Sequence, residues 1–236
     1  MSVTMRLFRK EMKMFGLSYL LSVLFFILYS LFFYVIIEDA LSGDRMAMHL
    51  LDFVLLFFAQ VFGLGFTKFN FTNPFRQDPY TKKVRVLRRM PISCTDIVNA
   101  RYLQMLVVAV VNTLAFLLPA YMLSSAAQQM IAWPEFLTFC YMIYCFSVAM
   151  GSFYVYLELG YSGKRYFLIC LMAIILSILL LVLLVVSHSP LTVWLLQQAV
   201  AGYGIMSCIA AAIITCGLAS LFMHLSNRRL MRRDYI

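Results

Sequence analysis

Charge is what this sequence has least of. Only 12% of its 236 residues are Asp, Glu, Lys or Arg, whereas 64% are hydrophobic and the mean hydropathy is +0.89. A soluble globular domain carries about 25% charged and 45–50% apolar residues, so that class is excluded. The chemistry of most enzymes is missing too. There are three histidines, and neither an H-E-x-x-H nor a G-x-S-x-G sequence occurs. The lone Gly-Lys pair, Gly163-Lys164, is followed by Arg165, and Glu158 stands where a phosphate-binding loop needs its first glycine. The chain therefore has no nucleotide-binding motif of its own, and no polar segment is long enough to form a catalytic domain. The six cysteines (Cys94, Cys140, Cys145, Cys170, Cys208 and Cys216) make no C-x-x-C or Cys/His pattern; five lie in apolar runs, where they read as small packing residues. Alternating segments of about ten residues, the mark of a transmembrane β-barrel, are also lacking.

What is present is a series of apolar runs near the ~20 residues that a spanning helix needs. They predict an all-α, polytopic membrane protein with a single transmembrane domain and six spans, at about 17–37, 49–67, 97–123, 135–157, 166–187 and 205–225. The first run is too long for a secretory core and has no A-x-A sequence after it, so it is expected to stay as a span. Between the fifth and sixth spans, segment 189–202 is apolar but too short to cross and return; it is expected to form an outer or re-entrant helix. The formal charge of +9 raises the question of nucleic acid, but position answers it: of nineteen Lys and Arg residues, all but Arg45 fall on one side of this topology. That is the positive-inside pattern of a bacterial inner or plasma membrane protein with both termini in the cytoplasm.

Two cytoplasmic segments are amphipathic. In 5–15, Met5, Phe8, Met12 and Phe15 share one face, and Arg6, Arg9, Lys10 and Lys13 lie off it. This reads as an interfacial helix with its apolar side in lipid and its basic side toward anionic headgroups. The second, 76–90, is the long polar stretch of the chain. Lys68, Arg76, Lys82, Lys83, Arg85, Arg88 and Arg89 crowd into it and its approach. Asp78 can cap its start and Pro79 suits the first helical position. Tyr80, Val84, Leu87 and Met90 form one apolar stripe, and Pro91 disfavours helix at Met90. A short helix so placed can dock on something outside the membrane, with Tyr80, Val84 and Leu87 in a partner's groove and Lys82, Arg85 and Arg88 at its rim. Ser93 and Asp96 then stand at a capping-box spacing to begin the third span.

Ionisable groups inside spans are functional candidates. Asp52 lies about one turn into the second span and could touch a substrate path or gate. Asn112 is mid-span, as is Gln60, where hydrogen bonds between helices are the plainer reading. Glu158 sits at the inner end of the fourth span. Ser147 and Gly151 form a small-xxx-small pair that permits close helix contact. Three readings stay open at this level: a subunit driven by a separate energy source, a transporter or channel that needs none, and an intramembrane enzyme.

The loop adds a resemblance. Asp78 followed by Leu87, Met90, Pro91, Ile92, Ser93, Ile97, Val98, Arg101, Tyr102 and Leu103 resembles the cytoplasmic loop of ABC-2 type permeases, the membrane subunits of a class of ATP-binding-cassette exporters. The match covers about 25 residues; elsewhere the likeness is architectural, and the helix here is more cationic than that pattern. The resemblance implies that 76–90 is a coupling helix, with Asp78, Tyr80, Val84, Leu87, Arg88, Met90 and Pro91 transmitting motion. It also implies two permease chains, as homodimer or heterodimer, on two cytosolic ATPase subunits. ATP and Mg would be bound by the ATPases and none by this chain. The cargo would be an amphipathic or hydrophobic peptide, lipid or drug.

Overall fold

The computed structural model describes residues 2–64, 79–88, 91–200 and 204–232. Asp78 and Met90 lie outside the described residues, as do the side chains of Tyr80 and Arg88. All ten elements described are helices: α1 (Val3–Met14), α2 (Gly16–Leu41), α3 (Arg45–Ala59), α4 (Pro79–Arg88), α5 (Cys94–Leu123), α6 (Ser125–Met130), α7 (Trp133–Gly160), α8 (Gly163–Val186), α9 (Leu191–Val200) and α10 (Gly204–Arg232). Five of them, α2, α5, α7, α8 and α10, are long and apolar enough to cross a membrane. Their outward surfaces carry the hydrophobic side chains that lipid accepts: Leu179 is 60% exposed, Met172 64% and Ile213 68%. The protein is therefore membrane-inserted and all-helical.

The expected second span departs from a continuous helix. At 15 residues α3 is about 22 Å long, short of the ~30 Å hydrocarbon layer. Beyond Ala59 the path tightens into turns, with Val61 N–H donating to Phe58 O at 2.9 Å and Leu64 N–H to Val61 O at 3.0 Å. Irregular backbone at membrane depth must be covered by protein. Here Asn112 supplies a partner: its Nδ2 donates to Phe62 O at 2.8 Å, and Phe62 is fully buried. Gly63 lies against Gly151 of α7 with Met105 of α5 between, and a Cβ at Gly151 would stand 2.9 Å from the Met105 sulfur. Ser147, one turn from Gly151, is fully buried as well, so the small-xxx-small pair marks a close contact of α7.

Two larger cores lie at opposite ends of the bundle, with a small third cluster of Phe15, Tyr19 and Val108. At one end, Phe33, Leu51, Phe116, Tyr121 and Phe136 join α2, α3, α5 and α7, with Tyr121 stacked on Phe136 at 4.1 Å. At the other, Leu7, Val84, Leu87, Ile97, Val98, Val155, Leu159 and Leu230 join α1, α4, α5, α7 and α10. The second core gathers the basic segments of the sequence at one end of the molecule. The most extensive helix contact is between α7 and α10, followed by α2 with α5.

Local signals explain the helix ends. Ser93 Oγ accepts from Asp96 N–H at 3.0 Å and donates to Asp96 Oδ2 at 2.6 Å, so the predicted capping spacing does start α5. Between α2 and α3, Gly43 adopts φ 101°, while its N–H donates to Ala40 O and the Asp44 N–H to Asp39 O, both at 3.2 Å. This is a Schellman ending, which favours glycine at the left-handed position.

Candidate functional site

The first turns of α5 carry Ile97, Val98, Arg101, Tyr102 and Met105 at helical spacing, so one face of that helix enters the bundle. All five are buried. An arginine on this face must find a partner, because an unpaired buried charge is costly. It finds Glu158, in the last turn of α7. Arg101 Nε donates to Glu158 Oε2 at 2.9 Å, and Nη2 lies 2.7 Å from the same oxygen. The two side chains are only 9% and 11% exposed. Arg101 Nη1 also donates to Gln104 Oε1 at 3.2 Å, and Gln104 Nε2 donates to the Tyr19 hydroxyl of α2. A polar chain therefore runs from α7 through α5 to α2, at the basic end of the bundle.

Two more helices close over it. Glu11 of α1 lines a small cavity with Arg101 and Glu158, and Val84 and Leu87 of α4 line the same cavity. Val84 is 1% exposed and Leu87 9%. Their opposite face is open: Lys82 and Arg85 are exposed, and Val86 is 58% exposed. So α4 turns one face into the apolar core beside the ion pair and offers the other to the outside.

This placement revises two expectations. Val84 and Leu87, expected in a partner's groove, are buried within their own chain, because Leu7, Ile97 and Leu159 already provide an apolar seat. The stripe of α1, expected in lipid, turns toward α5: Phe8 packs on the core around Ile97, Met12 packs beside Phe15, Tyr19 and Val108, and only Met5 of that set is exposed. A hydrogen bond from Thr4 Oγ1 to Asp96 Oδ1 at 2.5 Å fixes this contact. Arg6, Arg9 and Lys13 are exposed, off the packed face. Pro91 is exposed and sits three residues before α5 begins.

The two candidates for a path or gate are held by backbone. Asp52 is fully buried, and its carboxylate accepts Leu191 N–H at 2.9 Å and Thr192 N–H at 2.6 Å, so it caps α9 from α3. A carboxylate there meets the positive end of the α9 dipole. Asn112 caps the unwound Phe62 carbonyl and accepts from Ser22 Oγ at 3.4 Å. Gln60 joins α7 and α8: its Nε2 donates to Ser177 Oγ at 2.6 Å, and its Oε1 accepts from the Tyr154 hydroxyl at 3.2 Å. These mid-span polar groups satisfy one another between helices.

The Arg101–Glu158 pair is what sequence reasoning did not assemble. Each residue stood out singly, Arg101 in the loop motif and Glu158 as a charge at a span end. The residues are 57 positions apart, and only the packing of α5 on α7 joins them. Among the described residues no group of His, Cys, Asp and Glu could hold a metal ion.

Fold and site together define a polytopic helical membrane protein in which the short helix α4 packs beside a buried ion pair. No family model, curated protein or solved structure matches the chain.

Proposed function

We propose that this chain is the membrane-spanning subunit of an ATP-driven exporter of the ABC-2 kind, moving an amphipathic or hydrophobic cargo. The observation that carries the reading is the two-sided seating of α4. One face, Val84 and Leu87, packs into the apolar core and lines a cavity with the Arg101–Glu158 pair that joins α5 and α7. The other face, with Lys82, Arg85 and Val86, is free to meet a partner. In this reading the second membrane passage begins with α3. That gives six passages with both termini cytoplasmic, in the cell membrane. Two such chains would stand on two cytosolic ATPase subunits. ATP and Mg bound by those partners would close them. The displacement of α4 would pass through Val84 and Leu87 to the ion pair and from there to the spans.

Anchor residues at the centre of an interface carry most of its energy, and losing one costs about 2 kcal/mol or more. Rim charges chiefly alter encounter rate and salt sensitivity. The expected outcome is therefore that Val86→Asp releases a co-expressed ATPase, while membrane insertion persists and Arg85→Ala does less. Purified alone, the chain should hydrolyse no ATP. Steady ATP hydrolysis by the single chain, or an ATPase that stays bound to the Val86→Asp variant, would refute the proposal.

A further inference from the structure

Beyond the site under α4, the basic end has a second concavity. A cleft of about 690 Å³ opens between the end of α7, the start of α8 and the last turns of α10. Arg165, Arg228, Arg229 and Arg232 line it together with Tyr156 and Tyr161, and no carboxylate lines it among the described residues. Four arginines around one space repel each other, so an anion bound there would relieve the repulsion. One of them is positioned in advance. Arg229 Nε donates to Gly160 O at 3.1 Å and the guanidinium stacks over the Tyr161 ring at 4.1 Å, which holds the group without neutralising it. Arg165, Arg228 and Arg232 are exposed on the surrounding walls.

The position of the cleft selects among anions. It stands where α7 and α10 leave their apolar stretches, and Leu225 lines it beside the arginines. On the adjoining surfaces Leu168 of α8 and Leu221 of α10 are 60% and 52% exposed, so an acyl chain can lie on protein just below a bound headgroup. Basic pockets between membrane helices on the positive side take phosphate-bearing headgroups. Arginine suits a phosphodiester because its planar fork donates two parallel hydrogen bonds.

We infer that this cleft is a binding site for the phosphate of an anionic phospholipid headgroup. The shared chemistry is a phosphate ester, and the test separates lipid from free phosphate. The full-length chain in nonionic detergent would be titrated with short-chain phosphatidylglycerol, short-chain phosphatidylcholine and inorganic phosphate, with binding read by calorimetry and native mass spectrometry. One saturable phosphatidylglycerol site is expected, with weaker binding of both other probes. Arg228→Gln with Arg232→Gln should weaken it about thirtyfold, as the loss of two arginine contacts near a charged headgroup predicts. The corresponding double Lys variant should keep most of the binding. Arg45→Gln, a removal of charge at the other end of the bundle, should leave it unchanged. Melting without lipid checks the fold of each variant, and Arg165→Gln gives an independent reading from the opposite wall. The inference is overturned if phosphatidylcholine or inorganic phosphate binds as tightly as phosphatidylglycerol. Equal loss from the Arg45 variant, or no loss from either cleft variant, also overturns it.

Discussion

Breaking the Arg101–Glu158 pair from one side should cost far more than replacing both partners. At a separation of 2.7 Å, with an effective dielectric constant of ~20, the gross attraction is about 6 kcal/mol. Desolvation of two ions offsets several kcal/mol each, so the net value of the pair is small. Removing one partner leaves the other charge buried, and this costs about 3–5 kcal/mol. The lower half of that range is expected for Glu158→Leu, because Gln104 still accepts from Arg101 and Glu11 lines the same cavity. Arg101→Met with Glu158→Leu keeps the volume and removes both charges, so it should return to within about 1 kcal/mol of the native chain. The unfolding equilibrium in mixed micelles, measured for all four members of the cycle, gives the coupling directly. We expect at least about 3 kcal/mol of coupling from this arrangement. A double variant as unstable as the sum of the singles would refute the reasoning, because the charges would then not act as a unit. Single variants costing less than about 1 kcal/mol would do the same, since the pair would be behaving as a solvated surface bridge.

Two further perturbations test the packing described above. Gly151→Ala places a Cβ 2.9 Å from the Met105 sulfur and 3.0 Å from its Cγ. It should destabilise by about 1–3 kcal/mol as an overpacked core does, with partial rescue by Met105→Ala, read from detergent melting curves. Asp52→Ala removes two charge-assisted hydrogen bonds from the start of α9 and should cost about 2–4 kcal/mol. Hydrogen exchange across Leu191–Val200 should rise sharply in that variant, whereas Asp52→Asn, which keeps one acceptor oxygen, should fall between it and the native chain.

The helical class and the five long spans were legible because apolar length alone specifies a spanning helix. The α5 start was legible because Ser93 and Asp96 are local. What was not legible depends on which surface covers which. The stripe Val84 and Leu87 is a genuine apolar face, but nothing in the sequence says whether its groove belongs to a partner or to α1, α5 and α7. The same holds for Phe8 and Met12. The second run, 49–67, reads as one span by hydropathy. The tightening after Ala59 follows from contacts that sequence cannot rank: Asn112 reaching Phe62 O, and Gly63 meeting Gly151. Asp52 reads as an ionisable group one turn into a span, but its partner is backbone at Leu191 and Thr192, 139 and 140 residues away, which no side-chain pattern announces.

The acidic residues show one rule at work. Five helices start at the end away from the basic segments, and four of them are met by a carboxylate. Asp44 Oδ1 accepts Met46 N–H at 3.0 Å to begin α3, and Glu38 Oε1 accepts Ser125 N–H at 3.0 Å at α6. Glu135 Oε2 accepts Ala132 N–H at 2.9 Å at α7, and Asp52 serves α9. Helix starts hold unpaired N–H groups and the positive end of the dipole, so a carboxylate there needs no basic partner. That end can therefore do with almost no Lys or Arg, and a sequence counted by charge looks one-sided. At the basic end the balance is reached differently. Arg101 neutralises Glu158 inside the bundle, and Asp96 is held by Ser93 and Thr4. The arginines of the cleft beside α10 have no such carboxylate among the described residues. Acids at one end answer helix dipoles, while bases at the other exceed the acids available. The excess charge therefore lies at the end of the bundle that also carries α4, where a partner or an anionic headgroup can meet it.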